Sequence, residues 1–452
     1  MSKPTTYHRL TIIAACCLAL GAQAADDDLL GRDALFGDDL PKTGKGPEKS
    51  AGSGIKGFVQ FEAARTTADP EHWSKLRART EIGSSGRLGD GLKWKLGARA
   101  DYDFAYAIND FYPPEVERNQ RRNIELRENY LDYSTGNLDF RFGKQHVVWG
   151  EMVGLFFADV VSARDMREFI LPEFDQMRIP QWAARAEYFA DDYHAELLWI
   201  PVASYDNIGK PGAGFYPYQP VPNGFNSRYL QEIRPERNAD NMNYGIRLST
   251  LKYGWDVSGF YYRSTDVGQT FYRQFDAPTN TFTFQARHDR IHQYGGTVSK
   301  DFGDIVFKAE GVYTRGRSFT TLDFADSNGV VQQNTLDWAA GLDFTLPADT
   351  RFNAQVFQRQ FFSYDQNNVS DKRENGYSLL LNKKFFTDWE GQALFISSLN
   401  RSDWLFRPRV TWNFQRNWRW LLGADIFNGP PLGMFGRYDP KDRVYSEVRY
   451  SF

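Results

Sequence analysis

From Trp404 onward the side chains change character at every second residue. Trp404, Phe406, Pro408, Val410, Trp412 and Phe414 share one face; Leu405, Arg407, Arg409, Thr411 and Asn413 share the other. A period of two belongs to a β-strand, whose successive side chains point to opposite sides. After Gln415-Arg416-Asn417 the pattern restarts with Trp418, Trp420, Leu422, Ala424 and Ile426. The chain finishes with Val444, Val448, Tyr450 and Phe452, interleaved with Arg443, Glu447 and Arg449. An apolar face that runs to a terminal aromatic carboxylate suits a lipid-facing strand. Its tryptophans and tyrosines then sit where tails meet headgroups. This hairpin and final strand read as the seam of a transmembrane antiparallel β-barrel.

A mean hydropathy of -0.56 argues against a bundle of spanning helices, because each such helix needs about 20 consecutive apolar residues. A barrel escapes that demand, since only alternate residues of each strand meet lipid. Phenylalanine (36), tyrosine (24) and tryptophan (12) are plentiful enough to build aromatic girdles. The competing arrangement is an aromatic-rich soluble β protein of two domains. A net charge of -3 gives no reason to expect a nucleic-acid partner. The two cysteines, Cys16 and Cys17, both lie in the leader. The mature chain therefore has no disulfide framework and no thiolate metal site.

Residues 1–24 have the parts of a secretory signal. Lys3 and Arg9 form a basic start, Leu10 to Leu20 an apolar core, and Ala22-Gln23-Ala24 a small-residue cleavage site. Ile13-Ala14-Ala15-Cys16 resembles a lipobox, but its use would shorten the apolar core. Residues 25–54 are acidic at first, then rich in Gly, Lys, Pro and Ser, without periodicity. They read as a flexible periplasmic tether, or alternatively as a peptide that docks a periplasmic partner or the barrel mouth.

The barrel is expected over residues 55–452. Its clearest early strand places Leu92, Trp94, Leu96, Ala98, Ala100, Tyr102, Phe104 and Tyr106 on one face. Lys93, Lys95, Arg99, Asp101 and Asp103 occupy the other. Asn123 to Tyr133 follows, with a break of phase at Arg127-Glu128 that suggests a bulge. Hairpins then recur: Gln181–Tyr188 with His194–Ile200, Met242–Thr250 with Trp255–Arg263, and Thr283–Lys300 with Ile305–Arg315. Leu336–Leu346 with Arg351–Phe361 and Tyr377–Phe385 with Trp389–Leu399 complete the series. The tally is about eighteen strands, with sixteen possible, an even number as single-chain barrels require. Short turns at 89–91, 252–254, 301–304 and 347–349 then face the periplasm. Long segments at 108–121, 146–180, 202–240, 266–281, 319–333, 365–372 and 429–440 face outward or fold into the pore.

A charge in lipid costs roughly 2–4 kcal/mol at the bilayer midplane, so the charged rows belong inside. The candidate lumen residues are Arg77, Arg79, Lys93, Lys95, Arg99, Asp101, Asp103, Lys308, Glu310, Arg407 and Arg409. Closure brings the first and last strands together. Their arginines form either a basic arc that attracts anionic solutes or half of a mixed-sign lining neutralised by Asp101, Asp103, Glu81 and Glu447. His288 and His292 stand four apart on an expected strand, but two ligands without a third do not make a metal site. No nucleophile motif or phosphate loop appears, and we expect neither cofactor nor enzyme.

The segment 146–180 is too long and too apolar to dangle. Arg164 to Leu171 is expected to form two helical turns stopped by Pro172. Folded inward, the segment would constrict the pore through His146, Trp149, Glu151, Arg164, Asp165, Arg167 and Glu168. Gly143-Lys144-Gln145, Trp149-Gly150-Glu151, then Arg164 to Glu173 and Arg178-Ile179-Pro180, resemble an uncharacterised family of Gram-negative outer-membrane barrels placed near the alginate-export barrels. The chain departs from a polyuronate pore in lacking a crowded arginine run. The resemblance implies a channel working with an inner-membrane transporter for lipid-like compounds, and carries no residue roles.

The expected function is an outer-membrane channel or exporter with a polar lumen. The expected partners are outer-membrane lipid, the barrel-assembly machinery acting on the strand that ends at Phe452, and a periplasmic or inner-membrane transporter. An outer-membrane enzyme on lipid or polysaccharide, and a receptor or adhesin using loops 202–240 and 319–333, are the alternatives.

Overall fold

The computed structural model describes residues 54–150, 152 and 157–452. The expected signal, nearly all of the tether, and Glu151 lie outside the described residues.

Eighteen antiparallel strands close into a barrel. They are β1 (Lys56–Thr66), β2 (Trp73–Arg87), β3 (Leu92–Asp103), a two-part β4 (Arg122–Leu126 and Asn129–Thr135), β5 (Leu138–Gln145) and β6 (Gln181–Ala190). The middle third is β7 (Tyr193–Val202), β8 (Asn243–Lys252), β9 (Trp255–Thr265), β10 (Arg290–Asp301), β11 (Ile305–Thr320) and β12 (Val330–Leu346). The last third is β13 (Thr350–Phe362), β14 (Arg373–Phe385), β15 (Trp389–Ser398), β16 (Trp404–Gln415), β17 (Trp418–Asn428) and β18 (Arg443–Ser451). Consecutive strands pair, and β1 pairs with β18 from Phe58↔Ser451 to Thr66↔Arg443. No edge is left at the seam, as a spanning sheet requires. Both parts of β4 pair with β3, with Arg127 and Glu128 between them, where the phase break was expected.

The alternation sorts inside from outside. Val59, Phe61, Leu96, Tyr102, Phe142 and Trp412 are exposed on the outer surface. Gln60, Glu62, Arg79, Arg99 and Asp101 are buried within the barrel. Short turns gather at one end with the carboxyl terminus, where Gly57 and Phe452 exchange backbone hydrogen bonds of 2.9 Å. The long loops gather at the other end.

Three local expectations need correction. β3 stops at Asp103, so Phe104 and Tyr106 are not on its outer face. The Asp103 carboxylate accepts from the amides of Leu76 (2.9 Å) and Ala105 (3.0 Å), turning the chain into a short helix, Ala105–Ile108. Thr283–Lys300 is not one strand. Thr281–Arg287 joins Thr270–Asp276 and Asn226–Leu230 in a separate three-stranded sheet within the long loops. His288 marks the break: its side chain is fully buried, held by Glu232 and by the Asp266 carbonyl, each at 2.8 Å. His288 and His292 therefore do not share a strand. Finally, Arg164–Leu171 is not helical. Ala163–Arg164 pairs with Arg178–Ile179, and the helix is the single turn Phe174–Met177. The Asp165 carboxylate accepts from the Arg167 amide at 3.2 Å, a local bond that competes with helix formation.

Candidate pore and its constriction

The inner wall differs from side to side. Glu62 on β1, Lys75, Arg77 and Arg79 on β2, and Arg99 and Asp101 on β3 make one charged row. It continues across the seam through Arg443 on β18, Asp425 on β17, and Arg407 and Arg409 on β16. The charges neutralise one another. Lys75 and Arg77 each meet Glu62 at 2.8 Å, and Arg79 meets Asp101 at 2.6 Å. Arg407 and Arg443 each meet Asp425 at 2.8 Å. The lining here is of mixed sign, not a bare basic arc. Asp103 bonds backbone amides, Lys95 meets Glu128 at 2.6 Å, and Lys93 is exposed at the end of β3 nearest the short turns. On the far wall Lys308 meets Asp343 at 3.3 Å, and buried Glu310 accepts from the amides of Ala158 (3.1 Å) and Met152 (3.4 Å).

The loop after β5 crosses between these walls. Val147, Trp149, Ala158, Val160 and Val161 pack against Ala183, Leu198, Ile200, Phe260, Tyr262 and Val312 on the inner faces of β6, β7, β9 and β11. The Trp149 indole donates to Glu196 at 3.1 Å, and the His146 amide to Glu128 at 3.3 Å. Ten residues after Ala158, Glu168 meets Lys75 (2.5 Å), Arg77 (2.8 Å) and Arg443 (3.1 Å). Glu310 on β11 and Lys75 on β2 stand half-way round the ring from each other, so the loop spans the lumen.

Further wall arginines grip the loop backbone. Arg407 donates to the Leu171 carbonyl at 2.7 Å and Arg99 to that of Gln176 at 2.8 Å. Arg127 donates to the carbonyls of Asp175 (2.7 Å) and Arg178 (2.8 Å), and Arg409 pairs with Glu173. Arg164 donates its amide to Asp206 at 2.7 Å, while Arg167 holds Asp165 (2.8 Å) and the Asn119 carbonyl (3.2 Å). Between loop and charged wall remains a cavity of about 30 Å³, lined by Arg77, Asp101, Arg167 and Glu168 among others. That is room for one or two waters.

The environment sets the charge on the loop acids. Burial alone would raise the Glu168 carboxyl, but Lys75, Arg77 and Arg443 hold it well below the usual range. Arg409 brings Glu173 down to about 2 against the effect of burial. Asp206 goes the other way: burial raises it to about 6, although Arg164 opposes the shift.

The loop 202–240 also turns inward. Asn207 bridges to Asp165, and Phe215 packs against Phe427 and Tyr438 across the mouth. Tyr216 joins an aromatic cluster with Tyr106, Tyr112, Phe271, Phe282 and Phe284.

Of the residues expected to constrict the pore, those described all lie in the loop, and Glu168 makes the densest set of ion pairs among them. Glu62, Asp425, Arg443 and Glu173 were not foreseen as site residues. The first three are in phase with the inward rows, and that alternation was a signal for them. Glu173 lies in irregular chain, where no periodicity marks it. Among the described residues no three His, Cys, Asp or Glu gather as a metal site.

The sequence model of one protein family matches residues 73–452. This chain belongs to that family, described as protein of unknown function (DUF1302). Curated proteins show no match. Among solved structures, OccAB1 of Acinetobacter baumannii superposes with a TM-score of 0.53 at 7% identity, over 89% of this chain and 96% of that one. OccAB4 of the same organism gives 0.52 at 9% identity, over 90% of this chain and 100% of its own. These likenesses show the fold, an outer-membrane-type β-barrel.

Proposed function

We propose that this DUF1302 member is a channel or exporter in the outer membrane of a Gram-negative bacterium, passing a small or lipid-like solute through a polar lumen. The observation that carries this reading is the loop held across a closed, charged ring by Glu168 and Glu173. A wall lined with buried ion pairs on the inside and aromatics on the outside suits a wet conduit in lipid. The reading includes no catalytic step. Outer-membrane lipid surrounds the exposed aromatic face. The final strand and the terminal Phe452, with Tyr450 and Phe452 stacked and Tyr450 packed on Trp418 of β17, are what the barrel-assembly machinery would engage. A periplasmic or inner-membrane transporter would supply or receive the cargo at the short-turn end.

Reconstitution into planar bilayers tests the proposal. Small steps of conductance are expected from the intact chain, and larger ones after residues 164–177 are replaced by a short Gly-Ser bridge. Silence from both proteins, correctly assembled, refutes the reading.

A further inference from the structure

The ring is closed, yet one part of its wall is paired on one side only. β5 is 8 residues long. It pairs with Asn129–Thr135 of β4 and ends at Gln145, after which Val147 and Trp149 turn into the lumen. Arg122–Leu126, the first part of β4, pairs with Ala98–Tyr102 of β3. Among the described residues no strand lies along its other edge. Lys144 on β5 reaches up to that edge and donates to the Leu126 carbonyl at 2.7 Å. The outward side chains here are apolar and open, with Ile124 84% and Leu126 52% exposed.

Hydrocarbon does not tolerate an unpaired strand edge; such an edge persists where it borders water or a ligand-filled space. Lys144 ties that edge to a neighbouring space. A cavity of about 700 Å³ is lined by Lys144 and by Trp182, which is 47% exposed on the outer face of β6. Its inner lining comes from Ile179 and the loop 202–240, including Lys210, Arg234 and Arg237. One cavity thus touches both the outer surface and the loops within the mouth. The size suits a ligand. Four cations line it against Asp206 and Glu232, and Glu232 is already engaged by His288 and Arg234. The lining carries an excess of cations, and its outer part is Lys144 with the apolar Trp182.

We propose that this slot is a lateral port between cavity and bilayer for an anionic amphipath, its carboxylate or phosphate head held near Lys144 and Lys210 and its tail along Ile124, Leu126 and Trp182. The proposal rests on the membrane reading given above and adds a route and a substrate class. The cations select the sign of the head, the lip admits a single tail, and the gap above β5 lets the molecule leave sideways.

The test uses the full chain in lipid nanodiscs with a diazirine-bearing fatty acid, and as control the fatty alcohol of equal length. Peptides containing Ile124–Leu126 and Trp182 should be labelled several-fold more by the acid than by the alcohol. Lys144→Glu and Lys210→Glu should each lower that labelling at least fivefold; if the glutamate variant at 144 fails to assemble, Lys144→Met replaces it. Equal labelling by acid and alcohol, spread over all outward strands, overturns the port, as does undiminished labelling in both charge variants. Conductance of the same preparations separates the two readings. A conducting protein without site-specific labelling loses the port alone; specific labelling without conductance loses the channel reading and keeps the port.

Discussion

The two halves of the inner wall hold one loop by different physics. Across β6, β7, β9 and β11 the contact is apolar, centred on Trp149, which is 1% exposed, and on Val160 and Val161. Across β16 to β18 and β1 to β3 it is ionic, centred on Glu168 and Glu173. Apolar burial responds little to pH or salt and asks only for a complementary shape. A buried ion pair contributes only while both partners are present and charged. The comparison separates a root from a latch. Val147, Trp149, Ala158, Val160 and Val161 anchor the loop, while residues 164–177 are held by groups whose loss leaves cations unpaired.

The largest effect is expected at the root. Trp149→Ala removes a fully packed indole and should cost about 3–5 kcal/mol, seen as lost hydrogen-exchange protection over residues 157–163 and a permanently wider conductance. Retained protection would mean that the ionic half alone holds the loop. Next is the latch. Glu168→Gln leaves Lys75, Arg77 and Arg443 short of an anion and should cost about 3 kcal/mol. Conductance should rise while residues 157–161 stay protected; loss of protection in both halves together would merge root and latch into one unit. Glu173→Gln breaks a more solvated pair with Arg409 and should cost about 1 kcal/mol, visible as more frequent brief openings.

The smallest effect is one of pH, at the contact between the two inward loops. Asp206 has a folded-state pKa of about 6, above the ordinary carboxylate value of about 3.9. The folded state therefore binds the proton more tightly than the unfolded one. Stability from this site is greatest below the ordinary value and falls as pH rises through about 6. Acidification from pH 7 to pH 5 should slow exchange of the Arg164 and Asn207 amides a few-fold beyond the intrinsic rate change. Asp206→Asn should abolish that dependence. An unchanged pH profile in the variant would move the titration to another group.

Much of the wall could be read residue by residue. The face shared by Arg77 and Arg79, by Lys95 to Asp103, and by Arg407 and Arg409 follows from spacing alone, because a pleated strand sends alternate side chains to opposite sides. The interruption at Arg127-Glu128 was legible for the same reason, as a slip in that alternation. Reading failed where the chain left the ladder. Arg164–Leu171 has helical composition, yet the Asp165 carboxylate accepts from the Arg167 amide and its neighbours are held by a wall far away in sequence. Thr283–Lys300 alternates well enough for one strand, yet it is divided between two sheets at His288, which is held by Glu232 and the Asp266 carbonyl.

Alternation is a property of neighbours along the chain, so the amino-acid order by itself determined a barrel of about eighteen strands, its inward charges and its outward aromatics. Which charge meets which was decided by closure: Arg443 reaches Glu168 across 275 positions of sequence, and Arg409 reaches Glu173 across 236. The same closure carries the chain after Gln145 into the lumen and leaves the edge at Leu126 to the side chain of Lys144. Contacts of this kind exist only once the ring has brought distant strands together, and no local period encodes them.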